Sequence, residues 1–280
     1  MWENNIIFET TKKLSIYGLM SIFAVILGFP FLWMVITSLK TSGQIFVFPP
    51  IFIPDPVQFS NYADAWIKAS FSKYFLNSVF VTTMTVFGQL VTSSLAAYSF
   101  SRLVYKGRDK IFLAYLATMM IPFPVIMVPN FIIMRMFHWL NTYQALIIPS
   151  IFTAYGTFML RQFFMTIPTE LDEAATIDGS SKLGIFWNII LPLSKPGIIT
   201  LCVFSFIAAW NNFLWPLIVT NKQELFTLPL GLAVFRGFQY NIEYHLLLAG
   251  TVICVLPILA IYLLAQKFFV EGIALSGIKG

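Results

Sequence analysis

Tyr244-His245-Leu246-Leu247-Leu248-Ala249-Gly250-Thr251-Val252-Ile253-Cys254-Val255-Leu256-Pro257-Ile258-Leu259-Ala260-Ile261-Tyr262-Leu263-Leu264-Ala265-Gln266 contains no Asp, Glu, Lys or Arg. A helix needs about 20 predominantly apolar residues to cross the hydrocarbon core of a bilayer, and this stretch supplies them without interruption. Five more runs qualify: residues 14–37, 75–100, 111–133, 143–160 and 197–219. All twelve acidic and all seventeen basic residues fall outside the six runs. A charged side chain at the middle of a spanning helix costs about 2.5–3.5 kcal/mol on insertion scales, whereas a soluble helix has no reason to avoid charge. The pattern predicts an all-α, polytopic membrane protein with six transmembrane helices, forming one domain over residues 1–280.

Composition agrees. The chain is 58% hydrophobic and 10% charged, with a mean hydropathy of +0.81. Soluble domains carry about 25% charged residues, so most of this surface must face lipid. The net charge of +5 fits basic inner loops rather than a nucleic-acid partner. With the N-terminus inside, eleven of the seventeen Lys and Arg lie on the inner side and six on the outer. The cluster Arg102-Leu103-Val104-Tyr105-Lys106-Gly107-Arg108-Asp109-Lys110 is the strongest contribution. Both termini are therefore expected in the cytoplasm. The first run is too long for a signal-peptide core and no small-x-small cleavage site follows it, so it reads as a retained span.

Two outer loops are long. Residues 38–74 hold a stiff, proline-rich stretch, Phe48–Pro56, and then a candidate interfacial helix near Tyr62–Phe71. Residues 220–243 join the last two spans. Pro122, Pro124 and Pro129 predict a kink in the outer half of the third span, and Pro257 a bend in the sixth. Cys202 and Cys254 lie in apolar runs and read as packing residues. His138 and His245 read as interfacial polar residues. No metal-ligand spacing and no nucleophile–base set is visible, so no metal site and no catalytic residues are expected.

Between the fourth and fifth spans lies an inner loop, residues 164–196. Its middle reads Thr169-Glu170-Leu171-Asp172-Glu173-Ala174-Ala175-Thr176-Ile177-Asp178-Gly179-Ser180-Ser181-Lys182-Leu183-Gly184-Ile185-Phe186-Trp187-Asn188-Ile189-Ile190-Leu191-Pro192. This predicts two short helices. Thr169 caps the first, three carboxylates occupy its opening turns, and Gly179 ends it. Ser180 or Ser181 caps the second, which stops before Pro192. The first helix is too short to span and too amphipathic for a loose loop, so it should lie on the membrane surface and present a face to something cytoplasmic.

The spacing Glu173-Ala174-Ala175, three residues, Gly179, nine residues, Ile189, one residue, Leu191-Pro192 resembles the EAA signature of bacterial ABC-importer permeases. The resemblance covers nearly the whole chain and is strongest to the carbohydrate-uptake branch, in particular the smaller permease of maltose-type systems. Supporting stretches include Asn77-Ser78, Leu95–Arg102, Leu140-Asn141-Thr142-Tyr143 and Trp210–Leu217. Glu271 departs from the basic residue common among relatives. The resemblance implies a subunit of the bacterial plasma membrane that forms half of a sugar path and is not itself an enzyme. The loop would be a coupling helix contacting an ATPase through Glu173, Ala174, Ala175, Asp178, Gly179, Ile189, Leu191 and Pro192. The implied partners are a second homologous permease, two cytoplasmic ATPases carrying ATP and Mg, and an extracytoplasmic solute-binding protein. Phe235, Arg236, Phe238 and Gln239 would lie in the segment that docks the binding protein.

The chain has no Gly-Lys dipeptide and hence no phosphate loop of its own, so ATP must be bound elsewhere. No carboxylate lies in a span, which argues against a self-sufficient secondary transporter. A secondary carrier or channel, or an importer of glycerol phosphate, stays as the alternative; the absence of basic residues in the spans favours a neutral sugar. The few polar residues inside spans are the pathway candidates: Gln89, and Asn211 and Asn212 beside Trp210. Amides hydrogen-bond sugar hydroxyls and an indole covers the apolar face of a ring. The competing role is helix–helix hydrogen bonding.

Overall fold

The computed structural model describes residues 2–68, 70–237 and 242–277, without the side chains of residues 2–11, 68, 234–237 and 267–277. No strand occurs among the described residues. Helix α1 (Trp2–Ser38) runs through the first apolar stretch and Pro30. Helix α2 (Ser60–Lys68) is the short helix of the outer loop, and α3 (Phe71–Arg102) is the second span. The third span is broken rather than kinked: α4 (Arg108–Ala117) continues to Met120, and α5 (Phe123–Met136) leaves at 99°. The cause is Pro122, which forces Ile121 out of the helical region, to φ −85 and ψ 112. The fourth span is also divided, into α6 (Tyr143–Ile147) and α7 (Ala154–Thr166), with a bend of 42°. Thr153 caps α7, its side chain accepting the Gly156 N–H at 3.3 Å.

Next come α8 (Glu170–Ile177), α9 (Lys182–Ile185), a π turn at Phe186–Ile190, α10 (Leu191–Leu193) and α11 (Lys195–Trp210). The helical run 182–193 meets α11 at 78°. The expected fifth span, 197–219, is therefore not one helix. It ends at Trp210 and resumes as α12 (Leu214–Val219). Pro216 supplies a reason: it has no N–H to offer the carbonyl of Asn212, so the ladder cannot continue through it. Helix α13 (Leu228–Gly237) precedes α14 (Tyr244–Gly277), which continues through Pro257 as one helix. Among the described residues, three helices are long and apolar enough to cross a membrane alone, and there are up to six spans if each of three bent pairs counts as one.

The chain forms two compact units. One comprises residues 1–69 and 234–253. In it, every side chain of α1 from residue 12 to residue 32 is exposed, as a helix surrounded by lipid would have it. Order begins at its end, where Asn61 Nδ2 donates to the carbonyls of Ser38 and Lys40, each at 2.8 Å. The Ser38 and Tyr62 hydroxyls lie 2.7 Å apart. Lys40 is fully buried, with its Nζ 4.1 Å from the centre of the Trp33 ring. Burial holds its ammonium below the usual lysine range.

The second unit comprises residues 70–233 and 254–280. Helix α3 is its axis, packed on α7 and α11. The backbones approach closely: a Cβ on Gly156 would sit 2.6 Å from Ser93 Oγ. At one end a core forms from Ala97, Tyr98, Leu160, Phe164, Ala175, Ile185, Phe186, Ile190 and Leu201. Residues 164–196 are thus rooted in the span bundle. At the other end Val81, Met134, Leu146, Trp215 and Val219 pack together, and Trp215 Nε1 donates to Ala145 O at 2.8 Å.

Candidate functional site

Helix α8 has two unlike faces. Asp172 and Ala175, three residues apart, turn inward. Glu173 and Ile177, four apart, turn outward with Ala174, Asp178 and Gly179, all exposed; Ile177 is 86% exposed. Ala175 is buried in the core, so close approach by a partner is open at Ala174 alone. Ile189 and Leu191 pack against the same core, while Pro192 is exposed.

Four contacts from α3 hold this segment. Arg102 donates to the Phe164 carbonyl and, at 2.6 Å, to that of Ile167. Its other terminal nitrogen lies 3.4 Å from Asp172 Oδ2, in a pair whose side chains are 3% and 17% exposed. The Tyr98 hydroxyl donates to Lys182 O at 2.8 Å. Nearby, Arg161 donates to Phe100 O at 3.1 Å and lies over the Phe112 ring. Arg102 is thus the pin between α3, the end of α7 and α8, a role the sequence reading missed.

Two local expectations need correction. Thr169 makes no side-chain cap, because at φ −72 and ψ −21 it is already helical, whereas a capping residue needs extended backbone. The second helix does not stop before Pro192. A π turn at 186–190 shifts the hydrogen-bond register just where Pro192 lacks an N–H, and the helix passes through. Gly179 and Ser181 behave as expected. Gly179 sits at φ 83, with Ser180 N–H reaching Ala175 O at 2.9 Å, and Ser181 accepts from Gly184 N–H at 3.1 Å.

The pathway candidates separate. Gln89 and Asn212 line one cavity of about 120 Å³ with Val81, Thr85, Leu146, Ser150, Ala208, Ala209, Pro216 and Thr227. Trp210 is not there: it is 2% exposed, donates to Cys254 O at 3.0 Å and stacks on Phe206. Asn211 is exposed and bonds back to Ile207 O at 2.9 Å. Gln89 also does structural work. Its Nε2 donates to Ser150 O at 2.6 Å, and Thr92 Oγ1 to Ile151 O at 2.6 Å. These satisfy carbonyls freed by the break between α6 and α7, as a low-dielectric interior requires.

Phe235 and Arg236 fall within α13, but their side chains lie outside the described residues, as do Phe238 and Gln239 altogether. The root of that segment is described. Asn77 Nδ2 donates to Glu224 O and Phe226 O at 2.8 and 3.0 Å, and its Oδ1 accepts from Tyr143 OH at 2.7 Å. Ser78 Oγ accepts the Leu228 N–H at 2.7 Å. No group of three or more His, Cys, Asp or Glu that could hold a metal occurs among the described residues.

Long apolar helices, bent apolar helix pairs and a charged segment packed at one end of the bundle define a multi-pass membrane protein. Residues 89–274 match the family described as binding-protein-dependent transport system inner membrane component, and the chain belongs to that family. It is a transport permease subunit, not an enzyme. It is 35% identical to the arabinooligosaccharides transport system permease protein AraQ of Halalkalibacterium halodurans, over 92% of this chain and 93% of that one. It is 32% identical to the trehalose/maltose transport system permease protein MalG of Thermococcus litoralis, over 97% and 99%. A chain from a bacterial ABC transporter involved in import of the acidic polysaccharide alginate superposes with a TM-score of 0.84 at 23% identity. That match covers 93% of this chain and 97% of the other. At that identity the likeness is one of fold.

Proposed function

We propose that this chain forms half of the path by which a sugar or oligosaccharide enters a bacterial cell, with both termini in the cytoplasm. A second, homologous permease supplies the other half. An extracytoplasmic binding protein delivers the solute, and two cytoplasmic ATPases, which hold the ATP and Mg, drive the cycle. The names of the relatives support the sugar.

The observation that carries the reading is the build of α8: its inner face is pinned by Arg102 and buried through Ala175, while Glu173 and Ile177 are left free. A helix tied this way moves with α3 and α7 rather than flexing. Closure of the ATPases on ATP pushes α8, and the push passes through the buried core to the spans. The path then turns from inward-open to outward-open, and hydrolysis resets it. Phe235, Arg236, Phe238 and Gln239 take part in docking the binding protein.

Glu173→Lys reverses the exposed charge, and Gly179→Pro cannot adopt the φ of 83. In vesicles holding the chain with its native partners, both variants should insert normally yet lose solute uptake and binding-protein-stimulated ATP hydrolysis. Wild-type uptake in Glu173→Lys overturns the coupling role.

A further inference from the structure

Thr227 lines the same cavity as Gln89 and Asn212 and is only 5% exposed, yet its hydroxyl has no hydrogen-bond partner. A buried hydroxyl without a partner destabilises the fold, so a position that keeps one calls for an explanation. Thr85 and Ser150 line the same wall, and two amides there each keep one polar atom unused. Gln89 spends its Nε2 on Ser150, leaving Oε1. Asn212 Oδ1 makes a 3.4 Å contact with the Trp215 N–H, leaving Nδ2.

We propose that this cavity is a solute subsite that reads the hydroxyls of an uncharged sugar ring through Gln89, Asn212 and Thr227. The inference rests on the transport reading above and narrows its substrate class. The unused set is one acceptor, one donor and one group that is both, which matches a hydroxyl, itself donor and acceptor. A phosphate or carboxylate needs donors or cations. No Lys, Arg or His lines the cavity, and Gln89 Oε1 would repel an anion. A divalent cation is held mainly by carboxylates, and none lines the cavity. An apolar solute would leave all three groups unsatisfied. The groups come from α3, the 211–213 break and the residue preceding α13, so the subsite exists only because the fifth span is interrupted.

The test uses the chain assembled with its native partners in proteoliposomes, carrying Cys202→Ala and Cys254→Ala. A reporter thiol, Ala209→Cys, is placed in the wall. Labelling by N-ethylmaleimide is followed with and without nucleotide, using millimolar maltotriose as the neutral probe and trigalacturonate as the acidic one. Maltotriose should slow labelling several-fold in at least one state, trigalacturonate in neither. Thr227→Val should abolish the protection while the thermal midpoint stays level or rises, because the lost hydroxyl had no partner to forfeit. Equal protection by both sugars, protection by neither, or full protection in Thr227→Val overturns the subsite. Failure of the parent complex to show binding-protein-stimulated ATP hydrolysis would instead overturn the transport reading, and is measured separately.

Discussion

The second unit treats polar groups in opposite ways at two levels. Around α8 one charged pair links several elements: Arg102 engages two carbonyls and a carboxylate, and Tyr98 a third carbonyl, while Arg102 Nε and Asp172 Oδ1 stay without partners. Around the cavity, helices are interrupted and Gln89, Asn212 and Thr227 keep hydrogen-bonding capacity in reserve. On the proposed function, contacts that span several elements suit a region that transmits force, and spare hydrogen-bonding groups suit one that meets a solute.

Removing the pin should have the largest effect. Arg102→Ala orphans the Phe164 and Ile167 carbonyls and leaves Asp172 unpaired, a change worth about 3–5 kcal/mol when a buried pair loses one member. Thermal unfolding in detergent should fall accordingly, with uptake lost. Full stability would mean that the latch is ornamental and the contrast false. A middle-sized effect is expected at the break. A Cβ on Gly88 would lie 2.6 Å from Ile151 Cγ2, on a stiff β-branched side chain. Gly88→Ala should therefore cost about 1–3 kcal/mol in the same assay, as overpacking does. The smallest effect is expected at Asn211, which is exposed and bonds only one turn back along its own helix. Asn211→Ala should change stability by no more than about 0.5 kcal/mol and leave uptake intact. A transport defect there would extend the polar path beyond the cavity.

Much of this was legible in the residues. Charge exclusion marked all six apolar stretches, and the loop from Glu173 to Pro192 was read as short helices, which the fold shows packed against the span bundle. Prolines announced the third-span break, although Pro122 before a helix start turns the chain by 99° rather than bending it. The interruption at 211–213 was not read, because hydrophobicity continues across it and Pro216 looks harmless in the first turn of α12. Placing Trp210 beside Asn211 and Asn212 was reasonable for one continuous helix. Once the helix stops, the indole belongs to the core and only Asn212 faces the cavity. Thr227 and the Arg102–Asp172 pair were out of reach for a different reason: each gains its meaning from elements distant in sequence, which only the assembled fold brings together.

The π turn at 186–190 makes the lever a counting device. It holds one residue more than a plain α-helical turn would, and each residue advances the helix by about 100°. Everything after it, including the bend into α11, is therefore phased by the number of residues before Pro192. Conservative replacements in this stretch keep that phase. A single deletion would turn the chain by more than a quarter turn about the axis of 182–193 and swing α11, with Leu201, Ala208 and Ala209, off its present neighbours.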